Sequence, residues 1–439
     1  MGVQGKLQVR SLLVFWLFLL SAIAFLDRTN ISIAGEQISH EFGLGNVRLG
    51  WVFSAFLIGY CVSQILGGWL ATRFGPRRVL TLGVLWWGVF TALTAVISPR
   101  IGGALALLIA VRFSLGVGEA VIYPASNQFV ARWIPVQERG RANGWIFAGV
   151  GAGAGLTPPL LTWIIMHYGW RASFWFSAVA GVIAGLIWYL IARDTPAEHP
   201  LVSSEELAHI QEGLAATATG LEPQPDVEKR GAPAVPWARL FKSKEMLALT
   251  LSYFSFGYVA WIFFAWFYIY LAQERGLNLK ASAFYSMLPF LAMTVCSPVG
   301  GMVNDWIANR HGLRAGRCGT GAVSLGLTAV LLWYGPGVSG AQLASVMLAA
   351  GAGALYFAQS SYWSVTADIG DRHSGVISGA MNMGAQIGGA VTASLTPVIA
   401  TRLGWSASFR LSALLALLGA VAWLFVDPKK SLATSLRGT

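Results

Sequence analysis

Apolar stretches of roughly 17–25 residues, each long enough to cross a bilayer, recur along the whole chain. They run over 11–34, 49–71, 79–97, 103–130, 141–166, 172–193, 246–272, 281–304, 317–335, 341–367, 374–399 and 406–427. Hydrocarbon offers no partner for a backbone N–H or C=O, and a helix satisfies both within itself. The pattern therefore predicts an all-α integral membrane protein with twelve transmembrane helices. Composition agrees, since only 11% of residues are charged where soluble domains carry about 25%.

Lysine and arginine set the orientation. With the N-terminus cytoplasmic, the short inner segments hold fifteen, including Lys6, Arg10, Arg139, Arg317, Arg372 and Arg437, against seven in the outer ones. The positive-inside rule then places both termini in the cytoplasm, and the compact loops point to a cell inner (plasma) membrane. The net charge of +11 is a by-product of that topology. Its residues are scattered over short loops and form no nucleic-acid patch. Cys61, Cys296 and Cys318 have neither metal-site nor disulfide-framework spacing, and read as small apolar fillers. Lys6 and Arg10 before an apolar run ending Ala22-Ile23-Ala24 resemble a signal peptide. The run continues to Ala34, however, and reads as the first span.

The spans fall into two sets of six. Gly67-Gly68, leading into Arg73, Gly75, Arg77 and Arg78, is echoed by Gly300-Gly301 leading into Asp305, Arg310, Gly312, Arg314 and Arg317. Leu156-Thr157-Pro158 returns as Leu395-Thr396-Pro397, and Gly169-Trp170-Arg171-Ala172-Ser173-Phe174 as Gly404-Trp405-Ser406-Ala407-Ser408-Phe409. The expected organisation is a six-helix bundle over 1–193, a cytoplasmic linker over 194–245 and a second bundle over 246–439. Parallel six-helix repeats build one large transporter class, with the substrate at their interface. In the linker, Ser203-Ser204-Glu205-Glu206 before Leu207, Ile210 and Leu214 reads as a capping box opening one surface helix.

Asp27 and Arg28 sit side by side in the middle of the first stretch. A charge at the bilayer centre costs about 2.5–3.5 kcal/mol on the gentlest scale, so two need partners and a use. Among all acids and bases, only Asp27 and Glu119, and Arg28 and Arg112, fall deep within predicted spans. Arg112 and Glu119 are seven residues apart, two turns along one helix face. Such a set can neutralise itself as a structural lock, but four groups on two helices favour a functional site. Arginine stays charged and grips a carboxylate bidentately, which suits Arg28 and Arg112 to an anionic substrate. A carboxylate can take up and release a proton, which suits Asp27 and Glu119 to proton carriage. Tyr60, Gln64, Tyr253, Tyr258, Ser361, Trp363, Thr366, Asn382 and Gln386 are the polar groups available to complete the site. Each also has a plain reading as a contact between helices. The glycines at 149, 151, 153 and 155 read as tight helix packing rather than a phosphate loop.

Three segments resemble the major facilitator superfamily, and more narrowly its anion:cation symporter branch. They are Asp27-Arg28-Thr29-Asn30-Ile31-Ser32, the loop from Gly68 to Arg78, and Arg112 through Ala120 continuing to Pro124, Trp133-Ile134-Pro135 and Glu138-Arg139. The resemblance implies two rocking six-helix bundles that import an organic anion, a sugar acid such as a hexuronate, aldonate or aldarate, together with protons. It implies substrate contacts at Arg28, Arg112, Tyr60 and Asn382, proton handling at Asp27 and Glu119, and gating at Gly68, Arg73, Gly75, Arg77 and Asp305. Two departures stand out: Thr72 replaces the usual loop acid, and Val150 stands where aldonate carriers tend to have glutamine. The second tilts the expectation towards a hexuronate or another organic acid. The chain is expected to act as a monomer, without catalytic residues, cofactor or metal. An organic phosphate/phosphate or organic-anion exchanger and a non-transporting anion receptor are the alternatives.

Overall fold

The computed structural model describes residues 8–44, 46–215, 242–267, 270–271, 274–277, 279–370 and 373–430. Lys6, Arg372, Arg437 and the linker from 216 to 241 lie outside the described residues. The helices are α1 (Val9–Ile33), α2 (Gly35–Phe42), α3 (Asn46–Phe74), α4 (Pro76–Val96), α5 (Ala104–Glu119), α6 (Ile122–Trp133), α7 (Arg139–Tyr168) and α8 (Trp170–Ile191). They continue as α9 (Ser204–Ala215), α10 (Lys244–Ala265), α11 (Leu279–His311), α12 (Thr320–Tyr334), α13 (Ala341–Phe357), α14 (Gln359–Gly370), α15 (Ser374–Leu403) and α16 (Trp405–Ala422). Among the described residues eleven spans are long and apolar enough to cross a membrane, and α7, bent by 41° between Thr157 and Pro159, makes twelve. The protein is a multi-pass membrane protein of the expected class.

Two predicted spans are each broken in the middle. The fourth divides into α5 and α6 at Ala120 and Val121, the tenth into α13 and α14 at Ala358. Pro124 explains the first break, because its ring collides with the carbonyl four residues back and it has no N–H to donate. Nothing in the local sequence explains the second. The short α2 was not legible as an element. It is tied down by Glu41, which accepts from Arg171 Nη1 and Nη2, both at 2.7 Å, and from Trp170 Nε1 at 2.8 Å. The Arg171 hydrogen bonds hold the Glu41 carboxyl below its ordinary range.

The internal repeat is visible in the backbone. All eight positive-φ glycines among the described residues form pairs across the two sets of six spans: Gly43 with Gly276, Gly75 with Gly312, Gly103 with Gly340, and Gly169 with Gly404. Only glycine adopts this conformation without strain.

Glycines also set the helix crossings. A Cβ at Gly149 or Gly153 would lie 2.4 Å from the carbonyl oxygens of Phe18 and Ala22, so α7 packs directly on the α1 backbone. Gly151 faces the other way, onto α11 at Phe290. The glycine run is therefore a packing surface on two sides. Two crossings join the sets: α3 meets α15 where a Gly68 Cβ would sit 2.0 Å from the Gly375 oxygen, and α7 meets α11 where a Gly301 Cβ would sit 2.2 Å from the Gly140 oxygen.

Gly404 opens α16 at φ 83° with open space around its missing Cβ. Gly404→Ala therefore introduces backbone strain without a clash, and is expected to destabilise the protein by about 1–3 kcal/mol. Thermal unfolding in detergent measures the loss.

Candidate functional site

A central cavity of ≈ 160 Å³ lies between the two sets of helices, with walls from α1, α3, α6, α7, α10, α13, α14 and α15. Arg28 projects into it from α1. Its Nε donates to Glu119 Oε1, and its guanidinium carbon lies 4.4 Å from the Tyr60 ring centre and 4.7 Å from that of Phe25. Its Nη2 is buried without a hydrogen-bond partner among the described residues, as are Glu119 Oε2 and the Tyr60 hydroxyl. Glu119 is the last residue of α5 and is fully buried. The helix break after it places a carboxylate at the point where the span changes direction.

The four expected charges do not share one space. Asp27 and Arg28 are the nineteenth and twentieth of the 25 residues of α1, in the half that ends at Ile33. Adjacent residues on a helix point about 100° apart, so when Arg28 faces the cavity Asp27 cannot. Asp27 instead accepts the Thr91 hydroxyl at 2.6 Å. Arg112 is 1% exposed, with its guanidinium carbon 5.1 Å from the Phe56 ring centre. Neither Asp27 nor Arg112 lines the cavity. A direct cavity contact for Arg112 is thus replaced by a place behind the wall.

Tyr60 and Asn382 do line the cavity, and Asn382 Nδ2 donates to Gln64 Oε1 at 3.0 Å. Tyr253 and Gln386 line it as well. Tyr258, Ser361 and Trp363 do not. Tyr258 is buried beside it, behind Gly257. Trp363 stands one layer back, where its Nε1 donates to the Tyr253 hydroxyl at 2.9 Å. Ser361 accepts from Asn304 Nδ2 at 2.7 Å and belongs to a different cluster. The sequence reading missed Tyr123, Tyr356 and Gln359, which also line the wall. Tyr123 Oη lies 2.9 Å from Ser21 Oγ, and Gln359 Nε2 donates to Tyr253 Oη at 2.8 Å. Uncharged residues on apolar helices carry no signal beyond their polarity. Val150, singled out as a departure, forms part of the apolar wall with Phe147 and Phe256.

A second charged cluster lies at the ends where α7 and α15 begin. Asp305 Oδ1 accepts from Gly140 N at 2.9 Å and Arg317 Nη1 at 2.7 Å, while Oδ2 accepts from Arg141 N at 2.6 Å. Asp368 accepts from Arg139 Nη1 at 2.8 Å and Arg317 Nε at 3.0 Å. Arg317, assigned to a short loop from sequence, is fully buried and also donates to the Val136 carbonyl at 2.6 Å. The cluster joins the first set of helices to the second across the α7–α11 crossing.

The related α3–α15 crossing is closed differently. Thr72 bonds its own helix at the Gly68 carbonyl, 3.0 Å away. Gln128 Oε1 instead accepts from Gly375 N and Ser374 Oγ, both at 2.9 Å. An uncharged amide caps α15 where a carboxylate caps α7. Of the expected gating residues, Gly68 and Asp305 stand at crossings. Arg73, Gly75 and Arg77 stay within the first set: Arg73 lies over Trp69, Gly75 abuts Asp194, and Arg77 bonds the Tyr189 carbonyl at 2.8 and 2.9 Å.

The family model described as Major Facilitator Superfamily matches residues 17–393. The chain belongs to the major facilitator superfamily. Like its relatives in this superfamily, it is a transporter and not an enzyme. It is 33% identical to a probable sulfoacetate transporter, SauU, of Cupriavidus necator, over 97% of this chain and 96% of that protein. It is 32% identical to the chloroplastic ascorbate transporter of Arabidopsis thaliana, over 96% and 75%. It is 30% identical to the probable galactarate/D-glucarate transporter GudP of Escherichia coli, over 71% and 69%. The fold matches the proton:xylose symporter XylE bound to 6-bromo-6-deoxy-D-glucose, with a TM-score of 0.74 at 16% identity, covering 96% of this chain and 98% of that one.

Asp368 is the shared acceptor of two buried guanidiniums. Asp368→Ala leaves Arg139 without a carboxylate and Arg317 with Asp305 alone, and is expected to cost about 3–5 kcal/mol of stability. Thermal unfolding of the purified variant in detergent measures it.

Proposed function

We propose that this protein is a proton-coupled symporter that imports a small organic anion, a sugar acid in the first instance. The observation that carries the reading is the Arg28–Glu119 pair, in which a cavity-lining guanidinium is bonded to a buried carboxylate and each retains an unpartnered atom among the described residues. Arginine remains charged throughout, so only Glu119 can change state. While Glu119 is ionised it neutralises Arg28. Once protonated it no longer does, and the guanidinium can present its fork to a carboxylate or sulfonate. Proton and anion then load together.

The rest of the cavity suits a small acid. Tyr60 lies against Arg28, and Asn382, Gln359 and Gln386 offer polar atoms from the second set of helices. At ≈ 160 Å³ the cavity is smaller than the ~300–1,000 Å³ common for ligand pockets. Relatives named for galactarate/D-glucarate and ascorbate transport support a sugar acid, and the sulfoacetate name supports a small anion more broadly. Asp27 is a second protonatable group behind the wall, and Arg112 holds positive charge beside it. Alternating access follows if 1–193 and 246–439 rock about the cavity, with the α7–α11 and α3–α15 crossings opening on one side. The Lys and Arg distribution supports cytoplasmic termini, and the compact loops favour a plasma membrane.

Glu119→Gln is expected to abolish proton-driven accumulation in vesicles while counterflow of the same anion survives. Undiminished accumulation against a gradient would remove Glu119 from proton coupling, and pH-independent counterflow by the wild type would favour an exchanger. Arg28→Lys keeps the charge and loses the fork. Binding is expected to weaken roughly ten- to a hundredfold, about the value of one charge-assisted hydrogen bond. Calorimetry against galactarate, glucuronate and sulfoacetate reads this, and unchanged affinity would take Arg28 out of the site.

A further inference from the structure

A second cavity of ≈ 420 Å³ opens to the lipid-facing surface among α1, α7 and α11, beside the first turn of α1. Its two ends differ in chemistry. Arg10, Glu138 and Arg141 form a polar end; Phe15, Trp145 and Met302, 52%, 48% and 44% exposed, form an apolar end continuous with the outer surface. Arg10 is the second residue of α1, so the polar end lies at the level where a bilayer passes from hydrocarbon to headgroups.

Arg10 is the informative residue. Its side chain is 7% exposed, yet Nε and Nη1 have no hydrogen-bond partner among the described residues. Nη2 reaches Glu138 Oε1 at 3.2 Å. That carboxylate is divided further, because Oε1 also meets His209 Nε2 at 2.9 Å and Oε2 lies 3.8 Å from Arg141 Nη2. Glu206 is committed elsewhere, accepting the backbone N–H groups of Val9 and Arg10 at 3.2 and 3.0 Å. Two guanidiniums thus share one carboxylate, and the buried one keeps two unpartnered donors at the polar end of the cavity. An unmet buried donor on a charged group is costly, and an oxyanion is the partner that answers it. A soluble anion would leave the apolar end unused, whereas a phospholipid fills both.

We propose that this cavity binds an anionic phospholipid of the leaflet at the N-terminal end of α1. Its phosphate sits on Arg10 and Arg141, and an acyl chain runs along Phe15, Trp145 and Met302. The site is separate from the central cavity and does not depend on what the protein transports.

Thermal unfolding of the full chain in detergent tests it, with phosphatidylglycerol, glycerol phosphate or diacylglycerol added at equal concentrations. Phosphatidylglycerol is expected to raise the melting temperature of the wild type, and the other two to leave it unchanged. Arg141→Gln removes a half-exposed side chain with one long ion pair and is expected to keep the fold. It should need roughly fivefold more lipid for the same shift, the value of one arginine at an anionic surface. Arg10→Gln should lose more. An Arg141→Gln response equal to the wild type would overturn the proposal. So would a shift from glycerol phosphate, marking a free-phosphate site, or from diacylglycerol, marking an apolar groove that ignores the headgroup.

Discussion

Hydrocarbon accepts no hydrogen bonds, so each buried charge in this protein has to be answered by another part of the protein. The cluster around Asp305, Arg317 and Asp368 meets that demand almost completely, with only Arg139 Nε unpartnered among the described residues. Its two carboxylates receive five donations, two of them backbone N–H groups at the start of α7. Because those N–H groups form the positive end of a helix, the carboxylate caps α7 and binds Arg317 at once. The fully buried guanidinium is tolerable on those terms, and the two sets of helices are joined there.

The frame is symmetric where the backbone decides and asymmetric where charge decides. Paired positive-φ glycines and paired glycine crossings repeat because turns and close approaches depend on the absence of a Cβ. The seals at those crossings do not repeat. With Thr72 in place of an acid, the α3–α15 crossing is closed by the neutral amide of Gln128. Neutral hydrogen bonds have about half the strength of charge-assisted ones. The charge-assisted hydrogen bonds between the two sets therefore gather at the α7–α11 crossing, although backbone approach is equally close at both.

Span count and repeat were legible because apolar length and glycine position are written directly in the chain. Asp27, Arg28, Arg112 and Glu119 were legible as buried charges for the same reason. Their distribution was not, since it depends on helix rotation: adjacent Asp27 and Arg28 point to different spaces, and Arg112 faces Phe56 rather than the cavity. Arg317 looked like a loop residue because its neighbours Gly316 and Gly319 and nearby Arg314 read as polar. Only folding brings it under Asp305 and Asp368. The cavity's tyrosines and glutamines carried weak signals, as their side chains serve equally well as contacts between helices.

The two buried clusters differ in one respect that separates structure from function. Asp305, Arg317 and Asp368 leave no buried side-chain atom unpartnered among the described residues and Arg139 beside them leaves only Nε, whereas Asp27, Arg28, Arg112, Glu119 and Tyr60 each leave at least one. A buried ion pair is a poor source of stability, since desolvation offsets most of its attraction, so a lock gains nothing from remaining incomplete. Incompleteness is costly wherever it persists, and these five residues carry it in and behind the wall of the central cavity. It is what a site requires if it must exchange one partner for another: Arg28 can leave a carboxylate of the protein for one on a substrate only if both arrangements are nearly equal in energy. A saturated cluster would favour one of them too strongly to turn over.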